Sequence, residues 1–246
     1  RILWSWRPHI GSNRLPKVVK SMRESLRKVG KVKFNTKVTG LLVENETVCG
    51  VTLQNGEEIR ADAVVLATGH FATDALVAAK NAGAKISPKG FAVGVRADHA
   101  QAWLDDRQYR GKREEAELPA SFYELSARID ERGVYSFCMC PGGWIVPTQT
   151  EADSLVVNGM SLSRRDSPFA NSGIVVSIEL DDTKAAGFDG PLAGLRLQRA
   201  IEPRGFEAGG GALRAPATRL TDFLAGRSSA DVPPSSYVPV LTAGNL

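Results

Sequence analysis

This sequence of 246 residues has few of the residue types that carry most recognisable site chemistry. It holds three cysteines, Cys49, Cys138 and Cys140, and three histidines, His9, His70 and His99. An odd and small number of cysteines excludes a disulfide-built scaffold and makes a reducing, cytoplasmic setting the expectation. The histidines show no ligand spacing to one another or to the cysteines, so a zinc site is not expected. Apolar runs reach only about five residues, against the ~20 needed to cross a bilayer, and neither a membrane span nor a signal peptide is expected. Nowhere does a Gly-x-Gly-x-x-Gly follow a strand and open a helix, so the backbone cradle that holds a pyrophosphate is also missing.

What is present reads as an ordinary globular composition, 43% hydrophobic and 24% charged, long enough for one large domain or two modest ones. Leu15, Val18, Val19, Met22, Leu26 and Val29 recur at helical spacing, which predicts an amphipathic helix from Leu15 to Val29 ended by Gly30. Val32 and Phe34 alternate as in a short strand over Lys31 to Asn35. The turns Asn45-Glu46-Thr47 and Asn55-Gly56-Glu57 make Val38 to Val43, Val48 to Leu53 and Glu58 to Ile59 a three-stranded antiparallel meander. Ala63 to Ala67 is apolar without alternation, as expected of a strand buried on both faces and lying parallel to Val32–Phe34. It runs straight into Thr68-Gly69-His70.

That ordered series, helix, strand, meander, buried strand, Ala-Thr-Gly, resembles the FAD domain of the glutathione-reductase-type flavoproteins over residues 7 to 70. A looser resemblance continues through Arg96, Cys138-Met139-Cys140-Pro141-Gly142-Gly143, Asn158-Gly159-Met160, Arg164-Arg165-Asp166 and Ala170-Asn171-Ser172. Together these look like the bacterial FAD-dependent dehydrogenases, also labelled NAD(FAD)-utilising dehydrogenases. The resemblance implies a Gly-rich loop before this region and a further flavin-contacting segment after it. Both are missing, and the sequence opens on Arg1, so an internal fragment that by itself lacks stoichiometric FAD is expected. The resemblance also places Val38 where main chain meets the adenine edge, and Thr68 and Gly69 beside the cofactor.

Past Gly69 the expected elements are a helix from Thr73 to Ala82 and a strand from Phe91 to Arg96. Four short strands follow, Val134 to Met139, Trp144 to Pro147, Ser154 to Met160 and Ile174 to Leu180, in antiparallel or mixed pairing. Leu192 to Ala208 reads as a helix bent or divided by Pro203 and Gly205, Pro216 to Leu224 as a shorter one, and Ser228 to Pro239 as a loop. The stretch from Ala97 to Gly133 is polar and hard to read. The fold class expected is α/β and α+β: a partial Rossmann-like FAD domain over residues 1–92 with its β-meander, then a β-rich middle domain over 93–246 with flanking helices.

Candidate chemistry is sparse. Gly142 and Gly143 could bring backbone close to a flat flavin ring, or could form a tight hairpin. Cys138 and Cys140 suggest a redox dithiol. On an extended strand, however, residues i and i+2 lie ~7 Å apart, beyond disulfide reach, and the flavoprotein disulfide reductases space their pair differently, which favours structural cysteines. Arg164-Arg165-Asp166 with Asn171-Ser172 could hold an anionic substrate or a nicotinamide phosphate, or be a solvated turn. His70 could move protons or cap the next helix. Residues 1–33 carry a net charge of +9 and the remainder −5; most of that charge is expected on the solvent face of the first helix.

The reading is a fragment of an FAD-dependent oxidoreductase passing a hydride or electron pair between a small-molecule substrate and FAD, with NAD(P) as a further cofactor candidate. Its expected partners are the missing N- and C-terminal parts of the same protein. The alternatives are a flavin-dependent nucleic-acid modifier or binder using the basic N-terminal face, and an inert scaffold.

Overall fold

The computed structural model describes residues 8–69, 71–149 and 151–244. It shows a mixed α/β chain of antiparallel sheets with several helices. The first helix, α1 (Leu15–Val29), has the expected bounds: Pro16 enters in its first turn, Arg27 and Lys28 lie in its last, and Gly30 follows as the cap. The meander forms as β1 (Val38–Glu44), β2 (Thr47–Leu53) and β3 (Glu58–Arg60), antiparallel in the order β1-β2-β3. Asn45 and Glu46 both take positive φ, 49° and 62°, the twist that a two-residue hairpin requires. Helix α2 (Thr73–Asn81) packs on β1.

The two strands expected on either side of this meander do not form. Residues 31–37 and 61–69 contain no strand residue, and Val65 and Leu66 are 89% and 47% exposed. A strand is stabilised by its neighbours' hydrogen bonds, and among the described residues these stretches bond to the meander's main chain only at their ends, Gln54 N to Lys37 O at 2.9 Å and Ala61 N to Cys49 O at 3.0 Å. Apolar composition had announced the demand for partners, which these residues do not supply to each other.

From β4 (Phe91–Ala100) onward the chain builds a four-stranded antiparallel sheet in the order β4-β9-β6-β5, with β5 (Ser126–Ile129), β6 (Arg132–Cys140) and β9 (Phe169–Ile178). Helix α3 (Gln101–Tyr109) follows β4 directly. Strands β7 (Gly143–Thr148) and β8 (Val156–Ser161) form a separate hairpin. Helix α4 (Leu180–Ala185) opens with a capping box in which Glu179 and Asp182 satisfy each other's backbone amides. Helix α5 (Ala193–Gly209) runs unbroken through Pro203, held against α4 and against the parallel pair β10 (Ala215–Ala217) and β11 (Leu241–Ala243). The expected helix from Pro216 is shorter, α6 (Leu220–Leu224), because residues 215–217 pair as β10 instead.

The apolar core lies where these late elements meet: Ile145, Leu155, Ala215 and Tyr237 are buried together, with Val157, Phe206 and Leu241 against them. Tyr237 bridges to Ile145 in parallel and its hydroxyl donates to the Leu213 carbonyl at 2.7 Å. The N-terminal segment is tied to the β8 exit, with Ser12 N donating to Ser161 O at 3.0 Å and Ser163 N to Asn13 Oδ1 at 2.9 Å.

Candidate functional site

Two groups of candidate residues emerge, joined by no direct contact among the interactions described. The first gathers around the meander. Val38 opens β1 opposite Leu53 and is 47% exposed. Lys37, just before it, forms an ion pair at 2.9 Å with Asp74 in the first turn of α2, which brings the start of β1 beside the helix that follows Thr68-Gly69. Gly69 takes φ +77, and a Cβ there would meet nothing within 4 Å, so the turn faces open space. His70 lies outside the described residues. The N-terminus of α2 is not a phosphate cradle: Asp74 accepts the Ala75 amide at 3.0 Å, its carboxyl is held low by Lys37, and its negative charge would repel a pyrophosphate. A shallow cleft of about 280 Å³ near this turn is lined by Phe71, Thr73, Glu151 and Arg199 among others.

The second group lies at the end of β6. Gly142 takes φ +49 and donates its amide to Gln101 Oε1 at 2.7 Å; a Cβ there would overlap the Arg165 carbonyl oxygen. Gly143 would meet the Met160 carbonyl and the Cys140 side chain. The turn is therefore not a hairpin. It is a corner at which the chain leaves the four-stranded sheet on β6 and enters the β7-β8 hairpin, and the close approach that needs glycine is made by the protein's own backbone.

Arg96, on β4, organises the same region. Its Nε donates to Asn171 Oδ1 at 2.6 Å, and its Nη2 to the Cys138 carbonyl at 2.5 Å and towards Cys140 Sγ at 3.6 Å. Gly159 makes room for this guanidinium, since a Cβ there would overlap it. Asn171 and Ser172 are both wholly buried and bonded inward, Ser172 Oγ to the Gly173 carbonyl at 3.0 Å. They do not join Arg164 and Arg165 in an open anion site. The Asn171 Nδ2 and Arg165 Nε groups are buried without a partner.

The cysteine geometry differs from an extended strand. β6 pairs with β9 at Phe137–Gly173 and next at Cys140–Asn171, so β6 carries one residue more than its partner: a bulge. Cys138 adopts φ +49 within it, a left-handed conformation that costs a non-glycine residue on the order of 1–3 kcal/mol. The bulge breaks the alternation of the strand, and the Cys140 thiol donates back to the Cys138 carbonyl at 3.4 Å. Cys138 is exposed and Cys140 buried. The neighbouring Cys140 thiol draws the Cys138 thiol well below its usual range, with Arg96 adding to the effect; the Cys138 side chain, and then burial, push Cys140 up. The sequence flagged the pair but not the bulge, which is set by β9, some thirty residues further along the chain.

Elsewhere, Asp105 is the most heavily bonded buried carboxylate, accepting from Gln101 Nε2 and Ser121 N at 2.8 Å each, from Ser121 Oγ at 2.7 Å, and from Arg113. Gln101 then presents its own carbonyl oxygen to Gly142, so this network fixes the corner. Of the basic N-terminal charges, Arg23 and Arg27 stack over Phe34 and Lys20 pairs with Glu24. Among the described residues no helix is long and apolar enough to cross a membrane, and no cluster of histidine, cysteine and carboxylate groups could hold a metal.

Residues 90–246 match the family described as FAD-dependent protein, C-terminal domain-like, and residues 8–155 match that of FAD dependent oxidoreductases. The chain is 35% identical over 246 residues to an uncharacterised protein of Clostridium beijerinckii. That alignment covers 99% of this chain and 45% of the relative, so the chain spans less than half of the curated protein it matches.

Proposed function

Because this chain belongs to the FAD-dependent proteins, through its C-terminal-domain-like residues 90–246, we propose that the full-length protein is an FAD-dependent oxidoreductase of the glutathione-reductase-type superfamily, acting as a dehydrogenase on a small molecule. The observation that carries this is the meander leading through residues 61–69 to an open Thr68-Gly69 turn, inside the stretch that matches the FAD dependent oxidoreductases. When bound, FAD supplies the capacity to accept or donate a hydride.

The residues present fit one rim of such a cofactor. Gly69 leaves its surroundings clear of side chain, and Val38 follows Lys37, whose pairing with Asp74 ties the start of β1 to the start of α2. The pyrophosphate must be held by residues outside these groups, since the helix start nearest to Gly69 is acidic. In this reading residues 1–92 belong to the FAD domain, while 93–246 form a covering domain. Gly142 and Gly143, buried against Arg165 and Met160, contribute there as a rigid corner that positions the covering domain. NAD(P) remains a candidate electron partner.

The test is flavin content. The full-length protein should purify yellow, with one FAD released per chain on heat denaturation, while the 246-residue chain purified in the same way should be colourless. A full-length preparation that neither retains nor takes up FAD would overturn the proposal.

A further inference from the structure

We propose that Cys138 and Cys140 form a thiol–disulfide exchange pair, with exposed Cys138 attacking a low-molecular-weight disulfide and buried Cys140 resolving the adduct. The inference goes beyond flavin binding and stands without it.

Its basis is the bulge at the end of β6. On a regular strand two cysteines at i and i+2 could not reach each other. Here the extra residue and the left-handed turn at Cys138 break that geometry, and Cys140 Sγ lies 3.4 Å from the Cys138 carbonyl. Arg96 fixes that turn by gripping the Cys138 carbonyl at 2.5 Å while lying 3.6 Å from Cys140 Sγ. Arg165, whose Nε is buried without a partner, lies close by; burial lowers its pKa, and the neighbouring Cys140 sulfur opposes that shift only in part. A guanidinium beside the pair, that of Arg96, favours the Cys138 thiolate, which is the attacking species. Exposure is divided as exchange requires, one sulfur open to solvent and the other enclosed.

The steps balance. The Cys138 thiolate attacks one sulfur of R–S–S–R; that S–S bond breaks, a Cys138–S–S–R bond forms and RS⁻ leaves. Cys140 then loses its proton to solvent and attacks Cys138 Sγ, displacing the second RS⁻ and forming the Cys138–Cys140 disulfide. The pair loses two electrons, and R–S–S–R gains them as two thiols. Cys140 is held protonated largely by the neighbouring thiolate. Once Cys138 is tied up as a mixed disulfide the part of that restraint due to its charge is gone, and only burial still opposes the resolving thiolate.

The experiment is a reaction of the reduced protein with glutathione disulfide, quenched with an alkylating agent and followed by peptide mass spectrometry. The expected wild-type product is the peptide carrying Cys138 and Cys140 with two hydrogens lost and no glutathione retained. Cys140→Ser should retain one glutathione on Cys138, and Cys138→Ser should react more than tenfold more slowly at residue 140. Cys49→Ser should behave as wild type. If the wild-type peptide retains glutathione at Cys138, or stays fully alkylated under conditions in which Cys49 is modified, the proposal is overturned. The wild-type measurement decides the matter even if a variant at residue 138 or 140 fails to fold.

Discussion

Between Pro8 and Gly90 the described chain buries only Gly11, Gly50, Leu53 and Ala79, whereas beyond Phe91 it buries an apolar cluster and also Asn171, Ser172, Asp105, Ser121 and Ser236. The first region turns its apolar residues outward. Every apolar position of the α1 stripe, from Leu15 to Val29, is at least 39% exposed. The second encloses polar groups and satisfies almost all of them by hydrogen bonds. Its uniqueness comes from those networks as well as from the core around Ile145, because an enclosed polar group tolerates very few arrangements. Amphipathic pattern alone does not tell which regime a segment enters; that depends on whether a partner surface is supplied.

Two glycines sharpen this contrast most. Gly142 and Gly69 both have positive φ, yet only Gly142 has backbone in the place of its absent side chain. Gly142→Ala should lower stability by about 3–5 kcal/mol, left-handed strain adding to an overlap that cannot relax without moving Arg165. Gly69→Ala should lower it by about 1 kcal/mol, the conformational cost alone. Denaturant melts of the two variants measure the difference, and equal losses would break the comparison.

Asp105→Asn comes next. An amide in place of a carboxylate points a donor at Arg113, Gln101 or Ser121 and leaves Arg113 uncompensated, at a cost of about 3 kcal/mol. Chemical denaturation checks this, and the loss should be accompanied by faster proteolysis near the Pro141-Gly142 corner.

A smaller effect concerns the ion pair between β6 and α4. Arg132 grips Asp182 through both nitrogens at 2.6 and 2.5 Å, and with the Glu179 amide it holds that carboxyl down to about 2. The folded value lies below the unfolded one, so the contribution is complete above the ordinary carboxyl range and is lost as pH falls from about 4 towards 2. Asp182→Asn should therefore flatten the acid limb of the stability curve while leaving the alkaline side unchanged. Melting temperatures of both proteins across that interval provide the check.

The smallest effect belongs to the first region. Leu26→Lys on the exposed stripe of α1 should change the stability of this chain by less than about 0.5 kcal/mol, whereas Ile145→Ala in the core should cost about 2–4 kcal/mol. Comparable losses for both would show that α1 is covered.

Legibility in the sequence follows the range over which each feature is determined. Helix α1 and the meander were readable because their causes are local: helical spacing, Gly30, and turns at Asn45-Glu46 and Asn55-Gly56. The failed strands at 31–35 and 63–67 had the right composition, but strand formation is a statement about neighbours. The corner at Gly142 was visible as two glycines, and its purpose depends on Arg165 and Gln101. The Asp105 network was hidden in a polar stretch that periodicity does not decode. The cysteine bulge is a counting mismatch between strands far apart in sequence, and no local pattern reports it.

The tail of the chain has a consequence for the order in which the molecule can assemble. Tyr237 completes the apolar core against Ile145, while Ser235 and Ser236 supply three hydrogen bonds to Asp98, at 2.7, 2.7 and 3.0 Å. Each closes a loop of roughly ninety residues or more, the kind of contact that forms slowly because its entropy cost precedes its reward. During synthesis the β7-β8 hairpin and the Asp98 carboxylate therefore wait until the segment through Tyr237 has left the ribosome. Until then the nascent segment presents an open core, the kind of exposed apolar surface that makes a partly folded chain prone to aggregation.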